Sequence, residues 1–336
     1  MSHNRIRLPK SHFGRTLLSL AVTAAVGFGY FYVTLPALNP HTGEFYSFLG
    51  LLCAVYVVCV FLLSGAPHDN VIRTPKEKLR EWLKFIKSRC LPVGLLFVAV
   101  VVIAAVGNVV SMPLLRAAAY RDLLTVQTGD FASDVAQISF NEIPTLDRTS
   151  AEFLGDRQMG TLSDMVSQFE CSGDSTQINY QGRPVRVAPI AYADLFKWLT
   201  NRSQGLPAYV VVDMVTQEAT VTRLPQGMKY SFSEPLNRNI VRHLRFHYPT
   251  MMFSTPEFEI DENGHPWWIA PRVIKTIGLF GGTDIQGAVL VDAVTGQSQY
   301  YKEVPTWVDT LYVPELIMQQ YDYHGTLIHG FFNSLF

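Results

Sequence analysis

Three stretches of this chain, residues 16–38, 46–66 and 91–115, contain no Asp, Glu, Lys or Arg. Crossing about 30 Å of hydrocarbon takes roughly 20 helical residues, because in lipid each backbone N–H and C=O must be bonded within its own segment. All three runs reach that length, and three in succession do not suit buried helices of a water-soluble core. The sequence therefore predicts three membrane-spanning helices. The first run exceeds the apolar part of a leader and a second follows at once, so it reads as a span rather than a signal peptide.

Charge predicts the orientation. Before Met112 there are 11 Lys and Arg against four acids, and from Pro113 onward 16 against 24. Arg5, Arg7, Lys10 and Arg15 precede the first run; the first connection has no Lys or Arg and the second has seven. Basic connections stay on the cytoplasmic side. The N-terminus is therefore expected in the cytoplasm, and everything after Arg116 on the outer face of the cell membrane.

The second connection carries a helical signature. Thr74, Pro75 and Glu77 have the form of a capping box with proline at the first helical position, and Leu79, Trp82, Leu83 and Ile86 follow at helical spacing. The expectation over about 75–89 is a short amphipathic helix on the inner membrane face. Arg80, Lys84 and Lys87 would reach anionic head groups and Trp82 would sit at the interface. Cys53, Cys59 and Cys90 belong to the membrane region and Cys171 stands alone beyond it, so no disulfide is expected in the outer part.

Beyond a connector at 116–149, the chain repeats itself. Gly-Arg-Pro-Val-Arg-Val-Ala-Pro at 182–189 recurs as Gly-His-Pro-Trp-Trp-Ile-Ala-Pro at 264–271, and Tyr-Val-Val-Val-Asp-Met-Val-Thr at 209–216 as Ala-Val-Leu-Val-Asp-Ala-Val-Thr at 288–295. Pro184 and Pro266 are 82 residues apart, Asp213 and Asp292 are 79 apart, and one short deletion accounts for the difference. Two repeats are expected, at 150–224 and 225–303, followed by an extension at 304–336. Each reads as a helix, at 150–169 or 235–247, on an antiparallel four-stranded meander. Its first hairpin would turn at Gln181 and Gly182, or at Glu262, Asn263 and Gly264. The expected fold is thus a three-helix transmembrane anchor carrying an α+β extracytoplasmic region.

The turn Val-Asp-Ala-Val-Thr-Gly-Gln at 291–297, ahead of a closing strand, resembles the PepSY family of small extracytoplasmic domains. The resemblance covers about 80 residues per copy, and the first copy departs from it with Gln217 in place of glycine. The whole chain is similar to membrane-anchored proteins of Gram-positive bacteria that carry such domains in pairs. The resemblance implies binding or inhibition outside the membrane rather than catalysis, and no binding residue of the family maps onto this sequence.

Few residues suggest chemistry. His243 and His247, four apart on a helix, form half a metal site, but Arg242 and Arg245 crowd it. A polar helix face is the plainer reading, with Leu244, Phe246 and Tyr248 supplying the packing. Asp261 to Gly264 read as a hairpin turn rather than a calcium loop. The glycine-rich run at 278–284 lacks the Lys-Ser or Lys-Thr of a phosphate loop and reads as a flexible crossing loop. No Gly-x-Ser-x-Gly elbow occurs, Cys171 has no basic neighbour in sequence, and Glu257 and Glu259 alternate as solvent-facing residues would. No catalytic residue, metal or cofactor is therefore expected.

The binding candidates are Trp267 and Trp268, adjacent on a strand and hence pointing to opposite faces, one into the core and one near the surface. The spans hold only Asn108 and small polar residues, which suits an anchor or assembly surface rather than a conducting path. Ala21, Ala24, Ala25, Gly27 and Gly29 would let helices pack closely. The chain-terminal Phe331, Phe332, Leu335 and Phe336 are expected to dock on Trp307, Val308, Leu311, Tyr312, Leu316 and Ile317, unless a further domain follows. The expected partners are the lipid bilayer and an envelope protein, peptide or wall component, with no nucleic acid. An accessory subunit of a larger membrane complex, or an enzyme of unrecognised type, remains an alternative.

Overall fold

Charge-free runs of this length become helices because each backbone group can bond only within its own segment. The computed structural model describes residues 12–63, 74–139 and 142–335, so Arg5, Arg7, Lys10, Arg73, residues 64–66 of the second run and Phe336 lie outside the described residues. The chain divides into two compact units.

The first unit holds α1 (His12–Thr34), α2 (Gly43–Leu63) and α3 (Pro75–Val110), together with Gly278–Gly281. Phe13–Thr34, Gly43–Leu63 and Lys87–Val110 are long and apolar enough to cross a membrane. Tyr30 stacks on Phe48 between α1 and α2 at 5.9 Å, and any side chain at Gly27 would meet Leu52. Gly29 faces open space, so only one of the two glycines is needed for close approach. Around α3, Leu95, Val98 and Val106 stay exposed, an arrangement water does not tolerate over seven turns.

The expected separate helix over 75–89 does not exist as such. Its residues are the opening turns of α3, one 36-residue helix that carries Pro92 inside it. Glu77 does reach back to the Thr74 N–H at 3.1 Å, so the start was legible. Trp82 packs edge-to-face on Phe61 of α2 at 5.4 Å rather than standing free, while Arg80, Lys84 and Lys87 are exposed. The run at 278–284 is no flexible crossing loop either. The Ser111 hydroxyl accepts the N–H groups of Leu279 and Phe280 at 2.8 and 3.0 Å, and His41 Nδ1 lies 2.8 Å from the Leu279 carbonyl.

The second unit begins at Arg116, where α4 (Pro113–Arg121) breaks from helical geometry, and continues with α5 (Phe131–Asp134). Next come α6 (Arg148–Gly160), β1 (Phe169–Cys171), β2 (Thr176–Tyr180), β3 (Arg183–Tyr192), α7 (Leu195–Asn201), β4 (Leu206–Asp213) and β5 (Ala219–Met228). Then α8 (Ile240–His247) precedes β6 (Met252–Phe253), β7 (Glu257–Ile260), β8 (Pro266–Ile277), β9 (Gly281–Asp292), β10 (Ser298–Tyr301) and α9 (Pro314–Thr326). The helix expected to run to residue 169 stops at Gly160, because Phe169 is already paired with Tyr192 in the sheet.

Two five-stranded antiparallel sheets result. In the first, β3-β4-β5 run in order and β1 and β2 share the outer edge of β3; in the second, β8-β9-β10 run in order and β6 and β7 share the edge of β8. Each sheet has one short strand more than the expected meander. Corresponding bonds recur. Ser172 N–H reaches the Pro189 carbonyl and Ser254 N–H the Pro271 carbonyl, both at 3.0 Å. Asp213 accepts from the amides of Val215 and Thr216, and Asp292 from those of Val294 and Thr295. Arg183 pairs with Asp213 at 2.9 Å where His265 pairs with Asp292 at 3.2 Å. The sheets differ between their central strands: α7 joins β3 to β4, whereas β8 and β9 run on to a tight turn.

One continuous core spans both sheets. It takes Ala151 and Met159 of α6, Val187, Val210 and Val212 of the first sheet, Ile240 and Leu244 of α8, and Phe258, Trp268, Val289 and Val291 of the second. On the other face of the second sheet, Trp307, Val308 and Leu311 cover Ile269, Ala288 and Leu290. This leaves Leu290 buried while Val211, at the matching position, is half-buried. These residues therefore do not receive the chain end: Phe331 packs with Tyr120, Ile277 and Leu327, while Phe332 and Leu335 remain exposed.

Candidate functional site

The second unit has a cleft of about 350 Å³ lined by Arg148, Asp174, Phe232, Ser254, Thr255, Pro256, Glu257, Val313 and Glu315. Five local structures build it. Arg148 opens α6, fixed by the Asp147 carboxylate capping the Ser150 N–H at 2.8 Å. Asp174 stands in the turn between β1 and β2, where it accepts the Ser172 hydroxyl at 2.6 Å. Residues 254–257 lead from β6 into β7, Glu315 lies in the first turn of α9, and Phe232 lies ahead of α8.

The electrostatics are mixed but acidic. Arg148 is already committed, to Glu152 at 2.9 Å and to the Gly173 carbonyl. Glu257 is bonded by the Thr176 hydroxyl at 3.1 Å, and burial still pushes its carboxyl above the ordinary glutamate value. Behind the cleft, Arg186 donates to the carbonyl and hydroxyl of Ser175, while its buried Nε has no hydrogen-bond partner. Burial, and then the charge of Arg148, hold that guanidinium below the ordinary arginine value. Three lining carboxylates against one committed arginine suit a positively charged group. The apolar wall of Phe232, Pro256 and Val313 suits the hydrocarbon stem of such a group.

The sequence candidates lie elsewhere. Trp268 is fully buried, its indole N–H donating to the Tyr230 carbonyl at 2.8 Å, and its ring is flanked by Phe232 and Phe258. Trp267 is half-buried beside Trp307 at 6.0 Å and donates to Asp261 at 3.3 Å. The pair does point to opposite faces, and the outer ring, half-buried, is partly covered by the chain's own later segment. His243 is not on a polar face: it is buried against the Gly296 carbonyl at 2.8 Å, and burial, then His247, lower its pKa. Phe246, expected to pack, is exposed. Among the described residues no group of three His, Cys, Asp or Glu could hold a metal ion. Burial pushes the Cys171 thiol up to about 12, which leaves it unreactive at neutral pH.

Glu259 overturns its expectation most clearly, whereas Glu257 is half-buried at the cleft. Glu259 is fully buried and accepts the N–H groups of Asp309 and Thr310 at 3.1 and 2.9 Å, together with the Thr310 hydroxyl. At Glu259 the strand is covered on both faces, so alternation carried no information about solvent there. Glu234, missed altogether, is also fully buried and accepts from Tyr192 and Trp198 at 2.8 and 2.7 Å. Comparison with protein-family models, with curated proteins and with solved structures finds no match to this chain.

Proposed function

We propose that this chain is a multi-pass membrane protein, its N-terminus in the cytoplasm and its second unit outside, that binds a cationic group of an envelope protein, peptide or wall component. The observation that carries the reading is the acidic cleft with an apolar wall. We also read the second unit as a tandem duplication of PepSY-like domains, which the recurring strand order and the matched Asp213 and Asp292 turns support. We read the site as a binding site because its carboxylates stand beside an apolar wall of Phe232, Pro256 and Val313, the surroundings that suit a cationic group on a hydrocarbon stem.

The test uses the full chain in lipid nanodiscs and two short peptides that differ only in lysine against norleucine. The lysine peptide should bind, and Glu257→Gln or Glu315→Gln should each weaken it about tenfold, or about 1.4 kcal/mol. Equal binding of the two peptides would refute the reading. A second reading, an accessory subunit of a larger membrane complex, is favoured by the apolar girth of α3, whose Leu95, Val98, Val102 and Val106 are all exposed. Purification from the native membrane with a stoichiometric integral partner would support it.

A further inference from the structure

We propose that Glu259 is a positioning residue for the cleft: it latches residues 304–313 onto the second sheet, and because the cleft wall at Val313 and Glu315 hangs on that segment, docking the segment and binding a cationic stem are one coupled event. The proposal rests on the cationic-group reading of the cleft given above.

The segment is lightly held. It has no helix or strand of its own and none of its residues is fully buried; Val304, Trp307, Val308 and Leu311 lie half-buried over Ile269, Ala288 and Leu290. Among the described residues, two of its backbone N–H groups bond to another part of the unit, those of Asp309 and Thr310, and both end on the Glu259 carboxylate. Asp309 in turn accepts the Asn179 N–H of β2 at 2.5 Å, so the latched segment bridges the two sheets.

Three residues beyond Thr310 the chain enters the cleft. Val313 is the N-cap residue of α9, with no side-chain capping bond, and Glu315 lies in the first turn. Further along, α9 is pinned: Gln320 is buried and donates to the Thr283 carbonyl at 2.9 Å. The opening turn therefore takes its place from the latch, across a tether of three residues that spans about 10 Å at most. The facing wall belongs to the latch's own strand. Glu257 and Glu259 are two apart on β7, hence on one face and about 7 Å apart, opposite Ile269 and Trp267. One carboxylate lines the cleft, and the other holds the segment that closes it.

Charge supplies the coupling. Among the influences that raise the Glu257 carboxyl, burial comes first and the charges of Asp174 and Glu315 follow, so docking Glu315 brings like charges together. A cation seated among them turns that repulsion into attraction and favours the docked form by its differential affinity. By linkage, the docked form raises the affinity for the cation by the same factor.

The test uses the full chain in lipid nanodiscs with the lysine and norleucine peptides. Glu259→Ala should weaken the lysine peptide about tenfold or more, and Glu259→Gln by less, although neither position touches the peptide. Leu206→Ala, a truncation at a fully buried position of β4, lowers stability without freeing the segment and should leave affinity within about twofold. In the parent, saturating lysine peptide should slow hydrogen exchange at the Asp309 and Thr310 amides about tenfold, and norleucine peptide at the same concentration should not. This measurement needs no variant to fold. Parent-like affinity in Glu259→Ala, an equal loss in Leu206→Ala, or exchange at 309 and 310 that ignores the lysine peptide would each overturn the coupling and leave the cleft reading standing. A parent that binds the two peptides alike ends both.

Discussion

Replacing Glu259 by alanine should detach the segment that covers the outer face of the second sheet. The carboxylate is fully buried and satisfies two backbone N–H groups and one hydroxyl of residues 309 and 310. A buried donor left unpaired costs about 1 to 3 kcal/mol, and three donors would sum higher. Water can reach the exposed Asp309, and the carboxylate's own burial penalty is relieved, so about 3 kcal/mol remains. At about 2 to 4 °C per kcal/mol for a unit of this size, the melting temperature should fall by about 6 to 12 °C. Glu259→Gln keeps one acceptor oxygen and should lose about half as much. The readout is thermal unfolding of the detergent-solubilised full chain, followed by tryptophan fluorescence, since Trp307 lies in the detached segment. The dependence on pH has a definite sign. Burial raises the carboxyl above its ordinary value of 4.5, so the folded form holds the proton more tightly than the unfolded form. This contribution to stability is complete below about pH 4.5 and is lost as pH rises through the folded-state value. The deficit of Glu259→Gln relative to the parent should therefore shrink from acid toward neutral pH. A melting shift below 2 °C for Glu259→Ala, or a Gln variant as damaged as the Ala variant, would refute the account.

Two further outcomes are expected. With Cys171 replaced by alanine, a cysteine at Lys302 should react with a membrane-impermeant thiol reagent on intact cells while Cys90 does not; the reverse pattern would sink the proposed orientation. The matched turns should respond oppositely to glycine exchange. Gly296→Ala places a methyl against the Tyr230 ring at a φ of +77° and should cost several kcal/mol, whereas Gln217→Gly, at a φ of +63°, should gain up to about 1 kcal/mol in chemical denaturation. A stabilised alanine variant or a destabilised glycine variant would contradict that reading of the turns.

Local chemistry was legible in the sequence wherever one residue type decides the backbone. The three apolar helices followed from missing charges, and the turns at Asp213 and Asp292 followed from aspartate's capacity to bond amides two and three residues on. What escaped were the effects of distant chain. Glu259 is buried because residues 309 and 310, some fifty positions later, fold over it, and no pattern within β7 announces that cover. The partial cover of Trp267 by Trp307 has the same origin. The cleft escaped because its lining comes from five separated segments, none with a motif of its own. The join between the amphipathic turns and the third apolar run was read as a boundary because composition changes there. The backbone does not follow composition, and Pro92 sits inside the helix instead of ending it.

That unbroken helix has a mechanical consequence. Thirty-six residues make a rod of about 54 Å, some 24 Å more than a bilayer's hydrocarbon thickness. A surface helix joined by a loop would dissipate a pull. A rod converts it into tilt, and a 10° swing moves the protruding end by about 4 Å. The one weak point along it is the turn ahead of Pro92, where a ladder bond is missing, so bending concentrates there. Whatever grips the turns around Arg80 and Lys84 therefore holds a lever whose fulcrum lies within two turns of the apolar segment's start at Lys87.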